Sequence, residues 1–533
     1  MTSSVASALK ERTESAQETQ EETTVMTARR PGRRAVMVSA VLTQLMIVLD
    51  LTIIAIALPR MQDDLGMTVS QSPWTVTGYS LAFGGLVLFG GRLCAVVGIR
   101  RSYQVGLIGF GVASLAAGMA TSFPILLVAR VAQGCFGALL APTSQSLLNV
   151  TFTERTERER VFAIFGATGG LGAAVGLLVG GALTDWISWR WALYINILLA
   201  TAALLIGQRS LPPADQRDRG SRITDDLTGL VLGCGACFSA VYGLDRAQQT
   251  SWTSTSTVSW LALGGIAAVL FVVRERFANR PVLPLSMMAL PVRAASYATQ
   301  FIAGAGQMGA IIYLTYYMQN HFGYSPFKSG VVFLPMVLAL IATAIPAGRV
   351  IVPRLGARGT LPLGLAVLTG SFLIFSRMTT QSSYSQVALP GLIVFGIGLG
   401  LTMPVTFNSG TRGVDAKRTG LASAILSAAQ QIGGSFGVAL MTSYATQQAE
   451  DYVAEHSEEV RAAAMEAMMR AQALPQSPAG EQIIEALKAQ LVDRAQIEAY
   501  AGGFTMMAWI LAGAGAALVA CGITLSVRRR RTR

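Results

Sequence analysis

The chain has 533 residues, 52% of them hydrophobic and only 13% charged, with a mean hydropathy of +0.50. Soluble domains carry about 25% charged residues, so half of the usual solvating surface is missing, which excludes an ordinary soluble enzyme or a disordered scaffold. The net charge of +12 lies in short loops between apolar runs, not along a basic stripe with interleaved aromatics, so it suits a lipid surface and not nucleic acid.

Residues 1–35 are expected to form a disordered cytoplasmic tail, because the first 28 are rich in Ser, Thr, Glu and Gln and hold no apolar run. Apolar runs then follow near 36–58, 75–97, 103–121, 124–148, 161–183, 190–210, 227–245, 257–276, 295–318, 329–352, 360–377, 387–407, 420–444 and 503–527. Each is about long enough to cross hydrocarbon as a helix. The expected fold class is an all-α polytopic membrane protein with 14 transmembrane helices. The sequence also echoes itself: GRLCAVVGIRR follows the second run and GRVIVPRLGAR the tenth. That places a six-helix bundle at 36–210, two inserted helices with linkers at 211–294, a second six-helix bundle at 295–527 and a basic tail at 528–533, the repeat pattern of transporters.

With an even number of crossings, 31 of the 41 Lys and Arg residues fall on the side of the termini and nine on the other. The positive-inside rule then puts both termini in the cytoplasm. Six of the seven Trp residues sit at outer ends of runs, where an aromatic belt belongs. The outward loop 445–502 holds ten acidic and four basic residues with helical periodicity on both sides of Pro475 and Gly480, which predicts a helical hairpin.

Charges inside a membrane are expensive, about 3 kcal/mol or more at the bilayer centre. Only Asp50 and Arg130 lie well inside the expected spans. Burial raises a carboxyl pKa and a cation lowers it, so a membrane Asp reached from each side in turn could take up and release a proton. Arg130 stays charged and would tune that carboxylate or lock the bundle. Gly172, Gly176 and Gly180 recur every fourth residue and make a groove for a close helix neighbour. The pair Cys234 and Cys237 lies in an apolar run without a second pair, and His321 and His456 are the only histidines. No metal site, cofactor, P-loop or catalytic triad is therefore expected.

Four segments resemble the fourteen-span drug:proton antiporters of the major facilitator superfamily. They are LDLTIIAIALP at 49–59, WTVTGYSLA at 74–82, RVAQGCFGALLAP at 130–142 and GLASAILSAAQQIGGSFGVAL at 420–440. The resemblance implies the major facilitator fold, export of amphipathic compounds driven by inward proton flow, and coupling roles for Asp50 and Arg130. It also implies a conformational motif after the second span, through Gly91, Gly98, Arg100 and Arg101. Two positions depart from it: Ala95 replaces the Asp of the cytoplasmic gate, and Leu177 replaces the Pro that follows Gly176.

The polar or aromatic span residues expected to meet a substrate are Gln44, Tyr79, Gln133, Gln300, Gln307, Tyr313 and Asn408. They are few, which suits a hydrophobic ligand better than a sugar. The expected function is proton-coupled export of a small hydrophobic compound by a monomer in the bacterial plasma membrane, with protons and lipid as its other partners. The alternatives are a transporter of another solute and a sensor or assembly partner built on a transporter fold.

Overall fold

A backbone amide in hydrocarbon must find its partner inside its own helix or in a closed barrel, and this chain takes the first solution almost throughout. The computed structural model describes residues 31–531 apart from 68–70, 72–73, 212–226, 279–280, 282, 284–286, 289, 415–418 and 471–477. The expected tail up to residue 30, most of the first linker, the turn at Pro475 and the last two residues lie outside the described residues.

Helix α1 (Pro31–Leu65) begins inside the segment expected as tail, with Pro31 opening its first turn. It is followed by α2 (Trp74–Val97), α3 (Ile99–Gly118), α4 (Phe123–Thr151), α5 (Arg155–Trp186) and α6 (Trp189–Gly207). Then come α7 (Leu227–Gln249), α8 (Thr255–Phe277) and α9 (Pro291–Tyr316). The expected tenth span is broken into α10 (Pro326–Val332) and α11 (Leu334–Pro346), and a π-helical turn leads on to α12 (Val352–Phe375). The last three helices are α13 (Leu389–Thr411), α14 (Thr419–Arg470) and α15 (Pro478–Arg531).

Among the described residues, ten helical stretches are long and apolar enough to cross a membrane. The stretch 327–375 is one of the ten, although Gly356, at φ 65°, turns the chain back within it. Gly98, at φ 96°, does the same between α2 and α3. These two glycines lie near the ends of the two echoing sequence segments, and both occupy backbone that disfavours any side chain.

Packing sorts the helices into two groups. In the first, α1 lies against α4, α5 and α6, while α4 also packs on α2 and α3. In the second, α9 packs on α14 and α13, α12 on α13 and α15, and α14 on α15. The pair α7 and α8 leans on α2 and α14, and the groups meet where α14 touches α2 and α4 and where α5 touches α10, α11 and α13. Large apolar side chains such as Val128 and Trp509, 70% and 73% exposed, point outward, as a lipid-facing surface allows.

The face at which α1 begins is called the near face below. At the far face, α14 and α15 do not stop with the hydrocarbon. With 52 and 54 residues and about 1.5 Å per residue, each far exceeds the about 30 Å of a bilayer core. The described parts of the expected hairpin, 445–470 and 478–502, are continuous with α14 and α15. His321 Nδ1, at the end of α9, lies 3.1 Å from Asp493 Oδ2 of α15 and ties the hairpin to the second group.

Candidate functional site

The glycines of α5 set the site by admitting α1. A Cβ on Gly172 would press on Val48, on Gly176 it would collide with Thr52, and on Gly180 with Ile53. With α1 drawn in, Asp50 points to the interior of the first group and meets Arg130 of α4. The carboxylate is 1% exposed and the guanidinium fully buried.

The two charges are in direct contact, Arg130 Nη1 donating to Asp50 Oδ2 at 2.5 Å. Two amides complete the shell: Asn196 Nδ2 of α6 donates to Asp50 Oδ1 at 2.6 Å, and Gln133 Nε2 to the same oxygen at 3.2 Å. Gln133 is held in turn by Ser114 of α3 at 2.7 Å, and its own oxygen accepts from Arg130 Nη1 at 2.9 Å. Arg130 Nε donates to the Thr75 carbonyl of α2 at 3.0 Å, and the guanidinium lies 4.6 Å from the Tyr79 ring centre. Five helices therefore converge on one carboxylate.

Such a pair is electrically neutral as a unit, but removal of either charge leaves the other stranded in low dielectric. Around the pair, Arg130 Nη2, Asn196 Oδ1, Tyr79 Oη and Thr75 Oγ1 are buried without a hydrogen-bond partner. Unmade bonds at a buried polar centre cost about 1–3 kcal/mol each, so this arrangement does not serve stability. It can hold a carboxylate in one position and respond sharply to a proton placed on it. Asp50 was expected in a passage opening to each side; the structure seals it inside the first group of helices.

The other expected site residues disperse. Gln133 and Tyr79 join the network, and Gln44 is half-buried on α1. Gln300 of α9 accepts from Thr406 Oγ1 of α13 at 2.5 Å, and Gln307 keeps a buried Oε1 without a partner. Tyr313 donates to Thr442 at 3.1 Å and meets the Tyr500 ring edge-on at 5.0 Å, a packing role between α9, α14 and α15. Asn408 lies near the end of α13 and accepts from Arg158 Nε of α5 at 3.1 Å. Of the expected conformational motif, Gly91 is buried within α2, Gly98 joins α2 to α3, and in the first turn of α3 Arg100 reaches the Gln208 carbonyl at 3.3 Å while Arg101 is exposed.

Sequence reasoning passed over three groups. Asp245, one turn inside the end of α7, accepts from Thr77 Oγ1 at 2.9 Å and ties α7 to α2. Glu275 of α8 is 4% exposed and accepts from the Leu283 amide. At the far face, Asp64 is bound by Arg190 at 2.6 Å and by the Trp189 indole at 3.0 Å. These two hydrogen bonds, Arg190's first, hold the Asp64 carboxyl below its ordinary range. Asp245 and Glu275 stand at the last positions of their apolar runs and Asp64 beyond the end of one, so none counted as well inside a span.

Comparison with known proteins gives a consistent result. The family model described as Major Facilitator Superfamily matches residues 40–438. The puromycin resistance protein pur8 of Streptomyces alboniger is 40% identical over 416 residues, 78% of this chain and 82% of that protein. The cephamycin export protein CmcT of Amycolatopsis lactamdurans is 33% identical over 406 residues, 76% of this chain and 83% of that protein. Among solved structures, the human organic anion transporter MFSD10 superposes with a TM-score of 0.54 at 13% identity, over 91% of this chain and all of that one.

Proposed function

The chain belongs to the major facilitator superfamily of membrane transporters, and from that premise we propose that it exports a small hydrophobic or amphipathic compound in exchange for protons. The resistance and export roles printed in the names of its relatives support the cargo class. The proton reading rests on one observation, the sealed carboxylate of Asp50 held by Arg130, Asn196 and Gln133.

A proton on Asp50 removes the anion and leaves the Arg130 cation uncompensated in the interior. The carboxylic acid no longer attracts Nη1, and α1 loses its tie to α4. The groove of Gly172, Gly176 and Gly180 gives α1 a smooth surface on which to shift, so a proton becomes a helix movement. The energy suffices: one charge crossing 100 mV is worth about 2.3 kcal/mol, against about 1.4 kcal/mol for a tenfold cargo gradient.

The proposed topology has fourteen crossings. The bent stretch 327–375 counts twice, and α3, α5 and α9 are crossings whose polar and glycine residues face the protein interior, which lowers their hydropathy. The first bundle is 36–210, the insert 211–294 and the second bundle 295–527, with both termini and the near face in the cytoplasm and a monomer as the working unit. The test is a reconstituted vesicle with an imposed pH gradient and a panel of aromatic and amphipathic antibiotics. Wild type accumulates at least one compound against its gradient, and Asp50→Asn, inserted at the same level, does not. Equal gradient-driven transport by both proteins rejects the coupling role.

A further inference from the structure

A proton on Asp50 leaves the Arg130 cation without its anion, so something in the interior must face that charge. Two of the guanidinium nitrogens are engaged: Nε donates to the Thr75 carbonyl at 3.0 Å, and Nη1 to Asp50 and to Gln133 Oε1. Nη2 is buried without a hydrogen-bond partner. The guanidinium carbon lies over the ring of Tyr79, 4.6 Å from its centre.

That ring is placed by the helix that carries Arg130. A Cβ on Gly134, one turn along α4, would strike the Tyr79 carbonyl, and one on Gly137 would stand 3.1 Å from the Phe83 ring and from Tyr79 Oη. The two glycines thus admit α2, and Phe83 lies nearly parallel to Tyr79 with ring centres 6.0 Å apart. Tyr79 is 1% exposed, and its Oη has no hydrogen-bond partner among the described residues. The ring, and not the hydroxyl, makes the contact with the cation.

We propose that the Tyr79 ring is the second partner of Arg130, a positioning residue that holds the guanidinium while Asp50 carries a proton and so sets the pH at which that proton is taken up. The negative face of an aromatic ring attracts a guanidinium, most strongly where water is excluded. In the paired state the carboxylate neutralises Arg130; in the protonated state the ring and the neutral acceptors of Thr75 and Gln133 remain. The same negative face disfavours a carboxylate nearby. Both effects favour the protonated state, so loss of the ring should move proton uptake to more acid pH. Asp50 and Arg130 are the ionised groups of this centre, to which α2, α3 and α6 bring the neutral Thr75, Ser114 and Asn196 and α5 its glycine groove. On the neighbouring α7, Asp245 is bonded to Thr77, on another face of α2, and Arg246 to Tyr242. Tyr79 is on this view part of the charge centre and not a ligand of the cargo.

The role assigned to Tyr79 presupposes the proton coupling proposed above, but its test reads the carboxyl directly and needs no cargo. Infrared spectra of the full-length protein in lipid nanodiscs are recorded against pH, and the C=O band of protonated Asp50 is identified as the one missing from Asp50→Asn. Tyr79→Leu should move the midpoint of that band to lower pH by about one unit. Tyr79→Phe, which keeps the ring, should titrate close to wild type. Phenylalanines with one, two and three ring fluorines, placed at position 79 as noncanonical amino acids, weaken the negative face at nearly constant shape. They should lower the midpoint step by step from that of Tyr79→Phe.

A wild-type midpoint in Tyr79→Leu, an equal shift in Tyr79→Phe, or a fluorinated series without a trend overturns the assignment. If Tyr79→Leu fails to insert, the fluorinated series decides alone. A ring-dependent band in a protein without gradient-driven drug flux leaves the assignment standing and rejects the exporter reading. Drug flux that Asp50→Asn abolishes, together with a band indifferent to the ring, does the reverse.

Discussion

The two helix groups share a style of packing and differ in what they bury. At the centre of the first lie Asp50, Arg130, Gln133 and Asn196, a charged network. At the centre of the second, Phe372, Phe375, Phe395 and Phe504 pack with ring centres 5.3–6.2 Å apart. The aromatic cluster gains dispersion and edge-to-face contacts and leaves no polar atom wanting. The charged network leaves four polar atoms unmet and depends on the mutual presence of two ions. The lesson is one of composition: the second group centres on packed aromatic rings, and the first on two buried ions that each need the other.

That contrast can be broken by substitution, and the largest effect should come from the ion pair. Asp50→Leu strands Arg130 and should cost about 3–5 kcal/mol, seen as a large fall in the thermal midpoint in detergent. Adding Arg130→Met should recover most of that stability while gradient-driven transport stays lost. A double variant as unstable as the single one would contradict a mainly electrostatic cost.

In the second group, Phe395→Ala should cost about 3–5 kcal/mol through a cavity and leave the pH dependence of transport as in wild type. If that dependence moved with the cavity, the division between the groups would fail. Asn196→Leu should be milder than Asp50→Leu, about 1.5–3 kcal/mol for a hydrogen bond to a charged group, with export slowed several-fold. Gly176→Ala places a methyl group where Thr52 already sits, and overpacking of this kind costs about 1–3 kcal/mol. It should slow transport more than it lowers the thermal midpoint if α1 slides on α5.

The smallest effect belongs to Asp64. Its folded pKa lies below the ordinary carboxylate value of 3.8, so the pairing with Arg190 and Trp189 contributes in full above that value and is lost as pH falls through the lower one. Asp64→Asn should remove this part of the acid sensitivity of the thermal midpoint and lower the midpoint slightly at pH 7, where the pairing contributes in full. A wild-type acid profile in the variant would show that the exposed pair contributes nothing.

Much of this was legible in the chain. Charge scarcity singled out Asp50 and Arg130, because a membrane segment tolerates few ions, and the glycine spacing of α5 named the groove that α1 fills. The pairing itself was not legible. Eighty positions separate the two residues, and only the approach of α1 to α4 brings them together. Asn196 carried no signal of its own in the chain, and only the placement of α6 turns it toward the carboxylate. Asn408 read as a ligand group for the same reason, and its bond to Arg158 of α5, 250 positions away, could not be read from the chain. The hairpin carried a signal that was open to use, since no Pro or Gly interrupts the sequence from 438 to 470, and an uninterrupted helix is what forms.

The sequence alone determined the solvent and therefore the secondary structure. With so few charges and such long continuous apolar runs, hydrocarbon requires helices, because the strands of a closed barrel would alternate in polarity. Tertiary structure alone decided which polar groups meet. A buried hydrogen bond depends on distance and direction across helices remote in the chain, and composition carries neither.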